Sequence, residues 1–152
     1  MDKPVNKSDL LHHLQALLQE KLNAVQREIA STRGSFTSDT KSSAGDKHEV
    51  GRAMMQQELD KLDEQHAKLI VLQHELARVP LERTFDHVAF GSLVTTDQGV
   101  YFVAIGLGRI EFGGRSCFAI SLASPIGQVL KDKRAGDQVI FNGRSITVQS
   151  IG

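Results

Sequence analysis

Cysteine and tyrosine each occur once in the 152 residues, tryptophan is absent, and proline occurs three times. A single cysteine, Cys117, excludes an internal disulfide and the disulfide-stapled secreted scaffolds. Charge of one sign is also missing: 18 basic residues balance 18 acidic ones. That balance argues against bulk attraction to nucleic acid or anionic lipid. No run of 18 apolar residues occurs, so no membrane-spanning helix is expected. The opening MDKPVNKSDL has no apolar signal core. A soluble, cytoplasmic protein is the expectation. Apolar residues still make up 40% of the chain, enough to build a core for one ordinary domain or two small ones.

Two patterns divide the chain. Over residues 6–33, Leu11, Leu14, Leu18, Leu22, Val25 and Ile29 recur at steps of three or four, which predicts an amphipathic helix. Asn6 suits its N-cap, with Asp9 three residues on. A second stripe runs through Met55, Leu59, Leu62, His66, Leu69, Leu72 and Leu76. It stops before Pro80, which disfavours helix at Val79 and removes a backbone donor. Neither helix can bury its stripe alone. Two such stripes joined by one connection predict an antiparallel hairpin of coiled-coil type over residues 1–79. Its tip is expected near 31–49, because ten of the fifteen residues in STRGSFTSDTKSSAG (31–45) are Ser, Thr or Gly, all weak helix formers.

From residue 84 the pattern turns to short runs rich in Val, Ile, Phe and Thr. FDHVAFGSLVTT, VYFVAI, SCFAISL, DQVIFN and SITVQSI read as strands. TDQG, GLG, FGGR and NGR separate them as turns, the last suiting a tight hairpin. One short helix interrupts them: Ser124 fits the N-cap and Pro125 the first helical position. The class is α+β, a helical hairpin followed by a small antiparallel sheet domain with one short helix at 80–152.

Asp46 and Glu49 stand three apart at the start of the second helical pattern. They fit a capping box, in which an N-cap acid bonds the N3 amide and the N3 Glu reaches back. The same spacing brings two carboxylates within about 6 Å on one helix face. Such a pair can share Mg²⁺, a hard cation that prefers oxygen ligands. Two acids make only half a site, which fills where a partner supplies the rest. There a second metal generates hydroxide and stabilises the leaving oxygen of a phosphodiester. The other candidates read as structural. His12 and His13 are adjacent and face apart; His66 lies on the seam; His48 lies between the acids as a solvated tip residue. Cys117 reads as a small core residue. Lys131, Lys133 and Arg134 form a short basic cluster with the pattern of a solvated turn.

Gly45-Asp46-Lys47-His48-Glu49, Ser124-Pro125-Ile126 with the following helix, and the turn Gly136-Asp137 occur in one order. In that order the chain resembles the Gre family of bacterial transcript-cleavage factors over almost its whole length. The resemblance implies an FKBP-like fold for the C-terminal domain and docking of that domain on RNA polymerase at the mouth of the secondary channel. It implies that the hairpin enters the channel and brings Asp46 and Glu49 to the polymerase's magnesium site. They would share Mg²⁺ there, Asp46 as the direct ligand, and promote hydrolysis of backtracked RNA. Ser124, Pro125, Ile126, Lys131, Lys133 and Arg134 would meet the partner. The protein would be an accessory factor, without an active site of its own and as a monomer. The alternative is a non-cleaving channel regulator that competes with other channel-binding factors. One departure from the family pattern is Asp132, at a position where glycine is usual.

Overall fold

A computed structural model describes the backbone of residues 4–39 and 46–152, and their side chains apart from those of 36–39 and 46–48. In chain order the elements are α1 (Lys7–Asp39), α2 (Asp46–Ala77), β1 (Leu93–Thr96), β2 (Gly99–Val103), β3 (Gly108–Phe112), β4 (Arg115–Ile120), α3 (Pro125–Leu130), β5 (Gln138–Phe141) and β6 (Arg144–Ile151). The class is α+β. The chain divides into two compact units, one spanning Leu14–His74 and the other formed by the segment up to His13 with Glu75–Gly152.

In the helical unit, α1 and α2 run antiparallel. Gln73 donates to the Gln19 side chain at 3.3 Å, and Gln26 meets His66 at 3.4 Å. Ascending seven residues on α1 (19 to 26) therefore descends seven on α2 (73 to 66). Leu14, Leu18 and Leu22 are buried on α1, as are Leu59 and Leu62 on α2, while Val25, Ile29, Met55 and Leu69 are half-buried. The leucine seam expected from the period is the one the helices bury. α1 continues to Asp39, through much of the Ser/Thr/Gly-rich stretch expected to be a connection. Weak formers lose only about 0.7 kcal/mol each, about 1 for glycine, and an existing helix adds one hydrogen bond for every residue it gains. The rest of that connection, 40–45, lies outside the described residues.

The other unit holds a six-stranded sheet in the order β3-β4-β2-β1-β6-β5. Four of its neighbour pairs are antiparallel, but β2 and β4 are parallel, with Val100 opposite Cys117 and Val103 opposite Ile120. The wholly antiparallel sheet expected from the sequence is thereby corrected. After β2 the chain passes beyond the neighbouring position to lay down β3 at the edge, then returns through the Gly113-Gly114 turn to fill the gap with β4. Two reversals restore the original direction. The edge strand β3 carries little strand pattern in the sequence, because only Ile110 of its five residues is buried. Conversely, residues 85–92 lack the extended pairing expected of them. Val88 donates its amide to the Lys133 carbonyl at 2.8 Å and accepts from the Asp132 amide at 2.9 Å, so its backbone is bonded to a turn instead of a strand.

The core joins Val88, Val94, Tyr101, Val103 and Ile120 to Leu130 of α3 and to Val139, Ile146 and Val148 of the β5–β6 pair. The start of α1 belongs to this unit. Lys7 Nζ donates to the carbonyls of Arg83 and Gly91 at 3.2 and 3.1 Å and lies 5.1 Å from the centre of the Phe85 ring. The His13 ring packs 5.1 Å from that of Phe112.

Candidate functional site

Two groups of residues were singled out by sequence, one in each unit. In the sheet unit the segment at Ser124 is built by local chemistry. Ser124 has extended backbone (φ −68°, ψ 158°), and its Oγ accepts from the Gly127 amide at 3.1 Å. The same hydroxyl donates to the Ser121 carbonyl at 2.6 Å. Pro125 then fills the first helical position, where a missing N–H leaves no bond unmade. Gly127 is required by contact: a Cβ there would lie 2.1 Å from the Ser121 carbonyl oxygen and 2.8 Å from Leu122 Cα. Ile126 is partly buried against the core, so it anchors the segment as well as lining its surface.

The chain leaving α3 passes through Asp132 at φ +65°, the left-handed region in which side chains other than glycine are strained. The departure from glycine noted in the sequence therefore falls on a backbone that favours glycine. The turn closes where the Asp137 carboxylate accepts from the Arg134 amide at 2.7 Å, and where Gly136, at φ +94°, donates to the Val148 carbonyl at 2.7 Å. Ser124, Pro125, Ile126, Lys131, Lys133 and Arg134 are thus carried by one helix and the turn that follows it.

Arg134 is not a free cation. Its Nη1 donates to Asp86 Oδ2 at 3.2 Å, and His87 Nδ1 donates to Asp86 Oδ1 at 2.7 Å. The His87 hydrogen bond, followed by the hydrogen bond and the positive charge of Arg134, holds the Asp86 carboxyl below its usual range. Sequence reasoning missed Asp86 and His87. A lone Asp-His pair 48 residues from Arg134 carries no spacing signal.

In the helical unit, α2 begins on Asp46 itself. A capping box would use Asp46 at the start of this helix and Glu49 three residues on. The Asp46 carboxylate lies outside the described residues, as do the side chains of Lys47 and His48. Glu49 is exposed. At about 100° per residue, positions 46, 49, 50 and 53 share a face, and position 55 on the seam lies roughly 180° from position 46. Glu49 therefore stands on a side of α2 turned from the seam. Val50 and Met54 on that side are 60% and 66% exposed.

His66 is half-buried on the seam within reach of Gln26, a role that packing explains. Cys117 is buried in β4, and burial pushes its thiol up, away from the thiolate a nucleophile requires. Among the described residues there is no group of three or more His, Cys, Asp or Glu that could hold a metal ion, and no helix is long and apolar enough to cross a membrane. Glu49 offers a hard oxygen donor of the type Mg²⁺ takes, and with Asp46 it would supply two of about six ligands. The chain matches no protein-family model, no curated protein and no solved structure.

Proposed function

We propose that this chain is a Gre-like accessory factor of bacterial RNA polymerase. On this reading α1 and α2 form a coiled-coil arm that enters the secondary channel. The sheet domain, FKBP-like in fold, docks at the channel mouth through Ser124, Pro125, Ile126 and the basic residues Lys131, Lys133 and Arg134. Asp46 and Glu49 are the residues that would hold Mg²⁺ jointly with the polymerase. Bound there, the ion supplies an activated water for hydrolysis of backtracked RNA. The chain's own part is to carry two carboxylates on a rigid helix and to offer them to a pocket that contains the remaining ligands. Such a protein works in the cytoplasm, as a monomer, and is a factor and not an enzyme.

The observation that carries the reading is Glu49, exposed near the start of α2 and three positions after Asp46. An exposed acid there contributes nothing to the seam and is accessible to a partner.

The test uses a cognate polymerase stalled in a backtracked complex with labelled RNA and Mg²⁺. Native protein is expected to accelerate shortening of the RNA from its 3′ end, and Asp46→Asn and Glu49→Gln are expected to bind equally while losing most of that acceleration. Equal shortening with all three proteins removes the metal-sharing role. Tight, competitive binding with no shortening assigns the non-cleaving regulator instead.

A further inference from the structure

Parallel strands β2 and β4 end at Val103 and Ile120, and beyond their ends a crevice of about 240 Å³ opens, lined by Glu75, Arg78, Phe90, Ala104 and Ser121. All five belong to the sheet unit. Ala104 is buried, Phe90 and Ser121 are half-buried, and Glu75 and Arg78 are exposed. Among the described residues, neither the Glu75 carboxylate nor the Arg78 guanidinium has a hydrogen-bond or ion-pair partner.

Size and charge decide what such a crevice can hold. Small-molecule sites commonly measure roughly 300–1,000 Å³, so this one suits one or two side chains better than a cofactor. Glu75 and Arg78 lie three residues apart at the end of α2, with the Arg78 amide bonded to the Glu75 carbonyl at 3.1 Å. Their charges cancel, so a bare anion drawn to Arg78 is also repelled by Glu75. A ligand with an acid and a base at matching spacing satisfies both. The Phe90 ring supplies an apolar surface for the stems of long charged side chains. Ser121 links the crevice to the segment at Ser124, since its carbonyl accepts from both the Ser124 amide and the Ser124 hydroxyl.

We infer that this crevice receives an acid–base pair of side chains from a protein partner, the acid on Arg78 and the base on Glu75. The surface at Ser124 and the crevice then form one continuous docking face. This rests on the polymerase reading above, because it takes the partner to be the same protein.

The experiment measures the Kd of purified polymerase for the native chain, Arg78→Glu, Glu75→Arg, and Lys131→Glu as a control outside the crevice. Arg78→Glu is expected to weaken binding roughly tenfold, since it sets two like charges face to face, and Glu75→Arg to weaken it several-fold. Both side chains are exposed, so thermal unfolding should be unchanged and a loss of affinity cannot be a loss of fold. Native-like affinity of Arg78→Glu, with Lys131→Glu weakened, overturns the crevice and leaves the polymerase reading standing. No binding by the native chain overturns both. Inorganic phosphate that displaces the polymerase from the native chain but not from Arg78→Glu, at constant ionic strength, overturns the paired-charge occupant in favour of a small anion.

Discussion

Ser124 and Gly127 hold each other in place. The serine hydroxyl accepts from the glycine amide at 3.1 Å, and the glycine lets that turn lie so close to Ser121 that no side chain fits between them. The hydroxyl's second bond, to the Ser121 carbonyl, ties the cap of α3 to the end of β4. The segment at the centre of the proposed docking face is therefore rigid.

Gly127→Ala should be among the more damaging single substitutions in the sheet unit. The added methyl meets backbone at 2.1, 2.8 and 2.9 Å, and backbone cannot rotate aside as a side chain can. Overpacking typically destabilises by about 1–3 kcal/mol, and the upper end or more is expected here. Ser124→Ala, which loses the cap and the hydroxyl's bond to the Ser121 carbonyl, should cost about 1–2 kcal/mol. Urea denaturation monitored by circular dichroism ranks the two; equal costs would show that α3 moves away freely.

Asp132→Gly should stabilise the protein. An aspartate at φ +65° bears a left-handed penalty of about 1–2 kcal/mol, partly offset by the extra freedom glycine brings to the unfolded chain, about 0.5–1 kcal/mol. A net gain of about 0.5–1 kcal/mol is expected, seen as a higher unfolding midpoint. A lower midpoint would mean that the Asp132 side chain makes a stabilising contact.

Asp86 makes folding sensitive to acid. Its folded-state pKa is lowered from the ordinary 3.8 by His87 and Arg134, so as pH falls the unfolded chain protonates there first. The contribution is fully present above the ordinary value and is lost as pH drops through the lowered one. The midpoint difference between native protein and Asp86→Asn should be largest above the ordinary carboxylate range and shrink as pH falls through and below it. A difference independent of pH would mean that the carboxylate's charge is not what holds Arg134.

Glu49→Gln should leave stability within about 0.5 kcal/mol of the native value, as is usual for an exposed surface position. The loss of RNA shortening expected of this variant then reports on the carboxylate and not on folding. Replacing Mg²⁺ with chelator should abolish the native protein's effect as well. A variant that is destabilised by more than about 1 kcal/mol would instead identify Glu49 as a helix-capping residue.

The legible parts of this fold and its candidate site are those governed by near neighbours. The leucine seams of α1 and α2, the Ser124 cap, the Pro125 start and the turn at Gly136-Asp137 each depend on residues within a few positions. The β3 edge was illegible because a strand with one buried residue in five shows little hydrophobic pattern. Residues 85–92 misled in the opposite way: their apolar content suits a strand, yet Val88 finds its backbone partners at Asp132 and Lys133.

The amino-acid sequence by itself determined where helices and most strands form, which helix faces are apolar, and that two acids stand on one face at the start of α2. Period, capping and steric preference act over a turn of helix or a pair of strand residues, so they can be read along the chain. Tertiary structure alone decided that β4 lies between β2 and β3, making one pair parallel, that Asp86 reaches Arg134, and that Glu75, Arg78 and Phe90 meet Ala104 and Ser121 around one crevice. Those relationships depend on which distant segments come to lie side by side, and no local preference of any one segment encodes its neighbour.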